Sequence, residues 1–314
     1  MPSHTKTKSS PPETAPSLSH SSTNRGLSVS KPLAPGLYLI ATPIGNLGDI
    51  SQRALQTLAA CDVIACEDSR ATARLLQHYG LHVPRIAYHE HSSPAVREAI
   101  LQRLTEGQRV GLVSDAGTPL ISDPGFKLVR GAIALGVHVS ALPGPAAPLM
   151  ALILSGLPSD RFFFQGFLPP RGAARRSLLA SLAGIEATLI FFESARRLPQ
   201  CLQDMAQMLG DRPAAVAREL TKLFEEVRRD TLPNLRDYYL AAGPPKGEVV
   251  IVVGSKLDSN SDAVNHELEL DNRLRDALAS FSLKEAVAQV AALTGLPRKQ
   301  VYARALSLTG KTSA

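Results

Sequence analysis

Tryptophan is absent from this sequence, and Phe and Tyr bring the aromatic share to only 5%. That argues against a stacking platform for single-stranded nucleic acid, which spends aromatic rings on successive bases. Cysteine is scarce: Cys61, Cys66 and Cys201 are odd in number, with no C-x-x-C pair among them. A disulfide framework and a zinc site are disfavoured, and a reducing, cytoplasmic setting fits. No apolar run reaches the roughly 18 residues of a membrane span. The first residues lack the apolar core of a signal peptide. Neither G-x-G-x-x-G nor G-x-x-x-x-G-K-[ST] occurs, so the sequence carries neither a dinucleotide fingerprint nor a P-loop.

What is present is ample apolar content, 44% of 314 residues, enough for two cores of about 150 residues each. Lys and Arg number 34 against 28 Asp and Glu, a net charge of +6. That excess weakly favours a polyanionic partner. Residues 1–35 are Ser-, Pro-, Thr- and Lys-rich, with few large apolar side chains, and read as a disordered tail.

From residue 36 the pattern alternates. Strands are expected at 37–42, 62–68, 85–88, 109–117 and 137–145, with helical spacing at 50–61, 69–79, 94–106 and 123–136. Asp123 followed by Pro124 reads as the N-cap of the last of these helices. Such alternation implies an α/β domain over 36–158 with a mainly parallel sheet covered on both faces. A second α/β domain over 159–255 has expected strands at 187–193, 214–219, 224–230 and 247–254, the late ones close enough to be antiparallel. A polar linker over 256–265 then leads into helices whose TGLP turn (294–297) suggests a helix-turn-helix, with Arg298, Lys299 and Arg304 on its second helix; residues 256–314 form this extension.

The chemistry-bearing segments sit at expected strand ends. ATPIGNLGDI (41–50) sets Gly45 and Gly48 three apart after a strand, which suits either close ligand approach or a tight turn. SDAGTPLISDPG (114–125) is the most informative, since ligands of open α/β sheets bind beyond the carboxyl ends of strands. LPGPAAPLMAL (142–152) is a strand, a Pro-Gly turn and a helix start. CEDSR (66–70) and YHEHSS (88–93) put acids and histidines at strand ends. His89 and His91 invite a metal reading, but no third ligand stands at a recognisable spacing, so no metal is expected. In the second half, Arg196, Arg197, Arg218, Lys222, Arg228 and Arg229 suggest either a phosphate-binding surface or ion pairs.

In this order, YLIATPIGNLGDI, ACEDSR, SDAGTPLISDPG, LPGP, SGLPSDRFFFQGFLP, FFES, ARELTKLFEE and KGEVVIVV resemble the tetrapyrrole methylase superfamily, and within it the branch that methylates 16S ribosomal RNA. The match runs over about 37–254, and the C-terminal helices are similar to that branch's extension. The sequence departs from the branch pattern at Ser69, Ser92, Ala146, Ala195 and Arg196, where Thr, Asn, Ser, Pro and His are usual. Ala146 removes a side-chain hydroxyl from the cofactor loop, and Arg196 removes a histidine as acid or base.

The resemblance implies two α/β domains closing on a cleft, a homodimer, S-adenosylmethionine as methyl donor, and a cytidine ribose 2′-hydroxyl of 16S rRNA in the small ribosomal subunit as acceptor. The cofactor-binding residues expected on that basis are Thr42, Pro43, Gly45, Asn46, Ser114, Asp115, Ala116, Gly117, Thr118, Ile121, Pro143, Gly144 and Ala146. The candidates for acid–base or alkoxide-stabilising work are Glu219, Lys222, Glu226, Lys246 and Glu248, with Glu67 and Asp68 facing them. Two rivals stand beside this reading: a small-molecule tetrapyrrole methylase and a non-enzymatic nucleic-acid-binding protein. The helical extension weighs against the first, and two full α/β domains with ligand-type loops weigh against the second.

Overall fold

The computed structural model describes residues 33–256 and 259–308, with side chains from 270 onward in the last stretch. The expected tail therefore lies, up to residue 32, outside the described residues. The first sheet holds β1 (Gly36–Ile40), β2 (Val63–Cys66), β3 (Arg85–Ala87), β4 (Arg109–Val113) and β5 (Val139–Leu142), all parallel, in the order β3-β2-β4-β1-β5. α1 (Gln52–Ala60) and α2 (Ser69–His78) pack on one face, around Ile40, Leu58, Ile64 and Leu76. α3 (Pro94–Thr105) and α4 (Phe126–Ala134) pack on the other, around Leu37, Ile100, Leu112 and Leu128. Burying each such Leu or Ile contributes about 1.5–3 kcal/mol, and sheet residues have partners on both faces. Because β1 leads to a helix on one face and its neighbour β4 to a helix on the other, their connections diverge. The resulting crevice at the carboxyl ends is where such sheets take ligands.

Asp123 does not cap α4. The helix starts at Phe126 behind Gly125, which has φ 135° and offers no side-chain cap. The preceding loop turns twice through left-handed backbone, at Leu120 (φ 72°) and Ser122 (φ 67°), and this carries Asp123 away from the helix end.

α5 (Ala147–Ser155) packs against the second sheet, with Ala151 and Leu152 against Ile190, Ala217, Val250 and Val252. That sheet contains β6 (Phe162–Phe167), β7 (Thr188–Ser194), β8 (Pro213–Arg218), β9 (Glu226–Thr231) and β10 (Glu248–Val253), in the order β6-β7-β10-β8-β9. β6 and β7 are parallel and the remaining pairs antiparallel, as the close spacing of the late strands predicts. Position follows composition: the almost wholly apolar EVVIVV is the central strand, and EVRRDT, rich in charge, is an edge. α6 (Gly172–Leu182), α7 (Leu198–Leu209) and α8 (Leu232–Ala242) cover one face around the fully buried Phe191.

The expected linker over 256–265 is largely helix: α9 spans Ser259–Ser280, although Ser, Asn and Asp at its start are weak helix formers. α10 (Leu283–Thr294) opens on a capping box of Ser282 and Glu285 and ends at Gly295 in the left-handed conformation. α11 (Arg298–Leu308) follows, and Leu274, Val290 and Val301 close a small core of the three helices. Arg304 grips Asp271 through two bonds of 2.6 and 2.8 Å and so braces this bundle. Among the described residues no helix is long and apolar enough to cross a membrane, and no group of three His, Cys, Asp or Glu could hold a metal.

Candidate active site

Three loops leave the parallel sheet at its carboxyl edge and are tied to one another. The backbones of Thr42 and Gly117 exchange two hydrogen bonds, of 2.9 and 3.0 Å. Thr42 Oγ1 donates to the Ser114 carbonyl, Ser114 Oγ to the Gly117 carbonyl at 3.3 Å, and Thr118 Oγ1 to the Pro145 carbonyl at 2.9 Å. The loop after β2 joins them, the Asp68 N–H donating to Asp115 Oδ1 at 2.9 Å. The hydroxyls in these motifs therefore serve first to fix the loops.

Facing them is the turn between β8 and β9. Glu219 (φ 51°) and Thr221 (φ 66°) are left-handed there. With Leu120 and Ser122 they are the only non-glycine residues with positive φ among the described residues, and of the four Ser122 lines the cleft between the halves. Side chains enter that region at a cost of order 1–3 kcal/mol each, so such strain marks a geometry that the surroundings enforce. Lys222 Nζ donates to Glu219 Oε1 at 2.8 Å and to Glu248 Oε2 at 3.0 Å, and the Glu248 N–H donates to Glu219 Oε1 at 3.0 Å.

Two glycines make room for this cluster. The Lys222 stem crosses Gly45 of the first half so closely that a Cβ would overlap its Cγ, and a Cβ on Gly247 (φ 95°) would overlap the Glu219 carboxylate. The lysine bond and the Glu248 N–H hold the Glu219 carboxyl below its usual range. Partial burial pulls the Lys222 ammonium down, but its bonds to Glu219 and Glu248 outweigh this and raise it, so Lys222 is a cation at neutral pH.

Two cavities adjoin the cluster. A cleft of about 540 Å³ runs between the halves. Ala116, Gly117, Thr118, Ile121 and Ala146 line one side and Phe167, Phe192, Gly247 and Glu248 the other. Glu67, Asp115 and Asp123 also face it. Burial, then the nearby Glu67 charge, pushes the Asp123 carboxyl up to about 6. Burial and Asp115 likewise raise Glu67. A smaller cavity of about 380 Å³ lies between α2 and the β1 loop, bordered by Thr42, Pro43, Gly45, Ser114 and Asp115. Of the residues described, Asp115 alone borders both. Asn46, which caps the 3₁₀ turn at Leu47–Asp49, and Pro143 and Gly144 border neither.

The second-half candidates divide. Glu219, Lys222 and Glu248 come together; Glu226 instead pairs with Arg218 and Arg228, and Lys246 enters only through its carbonyl, which accepts from Arg218. The expected arginine surface is mostly internal bracing. Arg197 binds Glu193 and the Leu168 and Pro169 carbonyls, Arg229 the Leu154 carbonyl, and Arg228 stacks on Tyr238 with its guanidinium 3.6 Å from the ring centre. Phe167, Phe192 and the buried Glu193 are cleft walls that sequence reasoning did not single out. For Phe192 and Glu193 the signal was present in FFES, whose apolar run ends abruptly in an acid at the end of a strand.

Comparison with known proteins fits this arrangement. Residues 36–236 match the model of the Tetrapyrrole (Corrin/Porphyrin) Methylases, and 265–309 that of the RsmI C-terminal HTH domain. A ribosomal RNA small subunit methyltransferase I of Mesorhizobium japonicum is 48% identical over 89% of this chain and 94% of its own. The protein of that name from Pseudomonas aeruginosa is 44% identical over 88% and 98%. Among solved structures, a diphthine synthase superposes with a TM-score of 0.56 at 18% identity, covering 70% of this chain and 90% of its own, a likeness of fold alone. The chain thus belongs to the tetrapyrrole methylase family, in the ribosomal RNA small subunit methyltransferase I group, and is a methyltransferase whose methyl donor is S-adenosylmethionine.

Proposed function

We propose that this enzyme methylates a cytidine ribose 2′-hydroxyl of 16S rRNA, with donor and acceptor meeting at the junction of the two cavities. The observation that carries this reading is the Lys222–Glu219–Glu248 cluster, which reaches the small cavity through Gly45 and the cleft through Gly247 and Glu248. The relatives named for ribosomal RNA, similar over most of the chain, supply the substrate class.

The residues of the cleft fit the donor. Its volume lies within the 300–1,000 Å³ usual for cofactor sites. Ile121, Phe167 and Phe192 offer an apolar seat for an adenosine, and Glu67, Asp115 and Asp123 place negative charge where a sulfonium and an ammonium need it. When bound, S-adenosylmethionine supplies an electrophilic methyl group.

This chain's own residues do the rest. Thr42, Ser114, Gly117 and Thr118 hold the loops rigid, which orients the reactants. Lys222, fixed as a cation by two carboxylates, stabilises negative charge growing on the acceptor oxygen. Glu219 positions it. Asp115, which borders both cavities, would take the hydroxyl proton as the oxygen–carbon bond forms and the donor's sulfur–carbon bond breaks, the donor leaving as a neutral thioether. Exposed Leu149 and Ile153 on α5 and Phe162 and Phe163 on the edge strand β6 support a homodimer; a ribosomal RNA substrate supports a location in the cytoplasm.

The test is incubation with labelled S-adenosylmethionine and, in parallel, deproteinised rRNA, isolated small subunits and a tetrapyrrole precursor. Label recovered as 2′-O-methylcytidine is the expected result. Label on a base or a macrocycle would refute the assignment of the acceptor.

A further inference from the structure

The smaller cavity has one wall that the methyl-transfer cluster does not use. It is α2, whose Arg70, Arg74 and His78 follow one another at intervals of four and so share a face. Arg70 is turned back onto Asp68, the helix cap. Arg74 and His78 line the cavity, both exposed. Arg74 makes no hydrogen bond or ion pair among the described residues, in contrast to Arg197, Arg218, Arg228 and Arg229, each held by a carboxylate, a carbonyl or an aromatic ring. An unclaimed guanidinium at a cavity mouth is suited to bidentate contact with a phosphate.

The rest of the cavity fits the remainder of a nucleotide. Leu47 and Leu75 give it an apolar surface for the face of a base, and its volume of about 380 Å³ is at the small end of the ligand-site range. The mouth is held in shape from outside, the Tyr79 hydroxyl donating to the Leu47 carbonyl at 2.5 Å and so tying the end of α2 to the β1 loop. The inner end reaches Asp115, the boundary with the cleft.

We infer that this cavity is the subsite for the acceptor nucleotide of an RNA strand, with Arg74 on a backbone phosphate, His78 beside it, and the base against Leu47 and Leu75. The inference rests on the reading of the protein as an RNA methyltransferase and adds to it the wall that grips the strand. Phosphate contacts fix the register of a nucleic acid without reading its sequence, which is what positioning one ribose hydroxyl requires.

The test compares Arg74→Glu with Arg103→Glu in the full chain. Arg103 is a cation on α3 beside a separate cavity at the amino ends of the strands, remote from the loops. The readouts are the KM for small-subunit RNA across a salt series and the Kd for S-adenosylmethionine alone. Arg74→Glu is expected to raise the RNA KM at least about tenfold and flatten the log–log salt slope by about one, with cofactor affinity unchanged. Arg74→Lys is expected to keep the slope and lose part of the affinity, since it retains the charge but not the fork. Should Arg74→Glu fold poorly, Arg74→Ala gives the same slope readout. If wild-type protein methylates RNA and Arg74→Glu behaves like Arg103→Glu, the subsite is wrong and the function stands. If wild-type protein methylates no RNA, both fall.

Discussion

The second half of the chain contains two ion-pair clusters of opposite character. Arg175 on α6 and Asp204 on α7 meet at 2.5 Å with side chains only 5% and 3% exposed, and Arg176 adds a third contact at 3.2 Å. Lys222, Glu219 and Glu248 meet at similar distances, but Glu248 is 76% exposed and lines the cleft. The first joins two helices, lines neither of the two cavities, and holds the helices together. The second is anchored by left-handed backbone and by two glycines that leave it room. Equal chemistry thus serves stability where water is excluded and, on the proposed function, catalysis where a ligand can enter.

Substitutions can break this contrast. Asp204→Ala leaves the Arg175 guanidinium buried beside only a backbone carbonyl, so unfolding stability should drop by about 3–5 kcal/mol, read as a lower urea midpoint. Lys222→Ala should cost about 10²- to 10³-fold in turnover and lower the urea midpoint less than Asp204→Ala does, because water still reaches the Glu248 carboxylate left behind. A midpoint shift as large as that of Asp204→Ala would make the cluster structural instead. Gly247→Ala, which collides with Glu219 at a positive φ, should show both effects, with about 1–3 kcal/mol lost and reduced turnover.

Asp123 sharpens the contrast through pH. Its folded-state carboxyl titrates near 6, above the ordinary value of 3.8, so the fold binds its proton more tightly than the unfolded chain does. That contribution is complete below about pH 4 and is lost as pH rises through 6. Asp123→Asn should therefore gain on wild type between pH 4 and 6 and run parallel above, as thermal melts across that window would reveal. The smallest effect belongs to Arg304→Ala, which should loosen α11 by about 1 kcal/mol, visible as faster amide exchange there, and leave the two α/β halves unchanged.

The first half was the more legible. Its helical spacings and apolar runs gave the parallel sheet, and a parallel sheet gathers its carboxyl-end loops on one edge without further information. Asp123 shows where that reasoning stops. Asp-Pro before an apolar run is a valid helix start, yet the left-handed turns at Leu120 and Ser122 override it, and nothing local in LISDPG announces two bulky or polar residues at positive φ. In the second half, Glu219, Lys222 and Glu248 were legible as candidates but not as a cluster. What unites them is the pairing of β8 with β10, a contact between residues distant in sequence. Glu226 and Lys246 looked equivalent to them, and only the register of that sheet separates them. Leu47, Arg74 and Leu75 share a cavity for the same reason: α2 and the β1 loop meet in space, tied by Tyr79.

The crossing of Lys222 over Gly45 has a consequence for inheritance. A residue of the front segment must remain without a side chain because one of the rear segment is long, so neither can drift alone. Hybrids that splice the front of one relative to the rear of another should work only where both parents obey this bare-backbone rule.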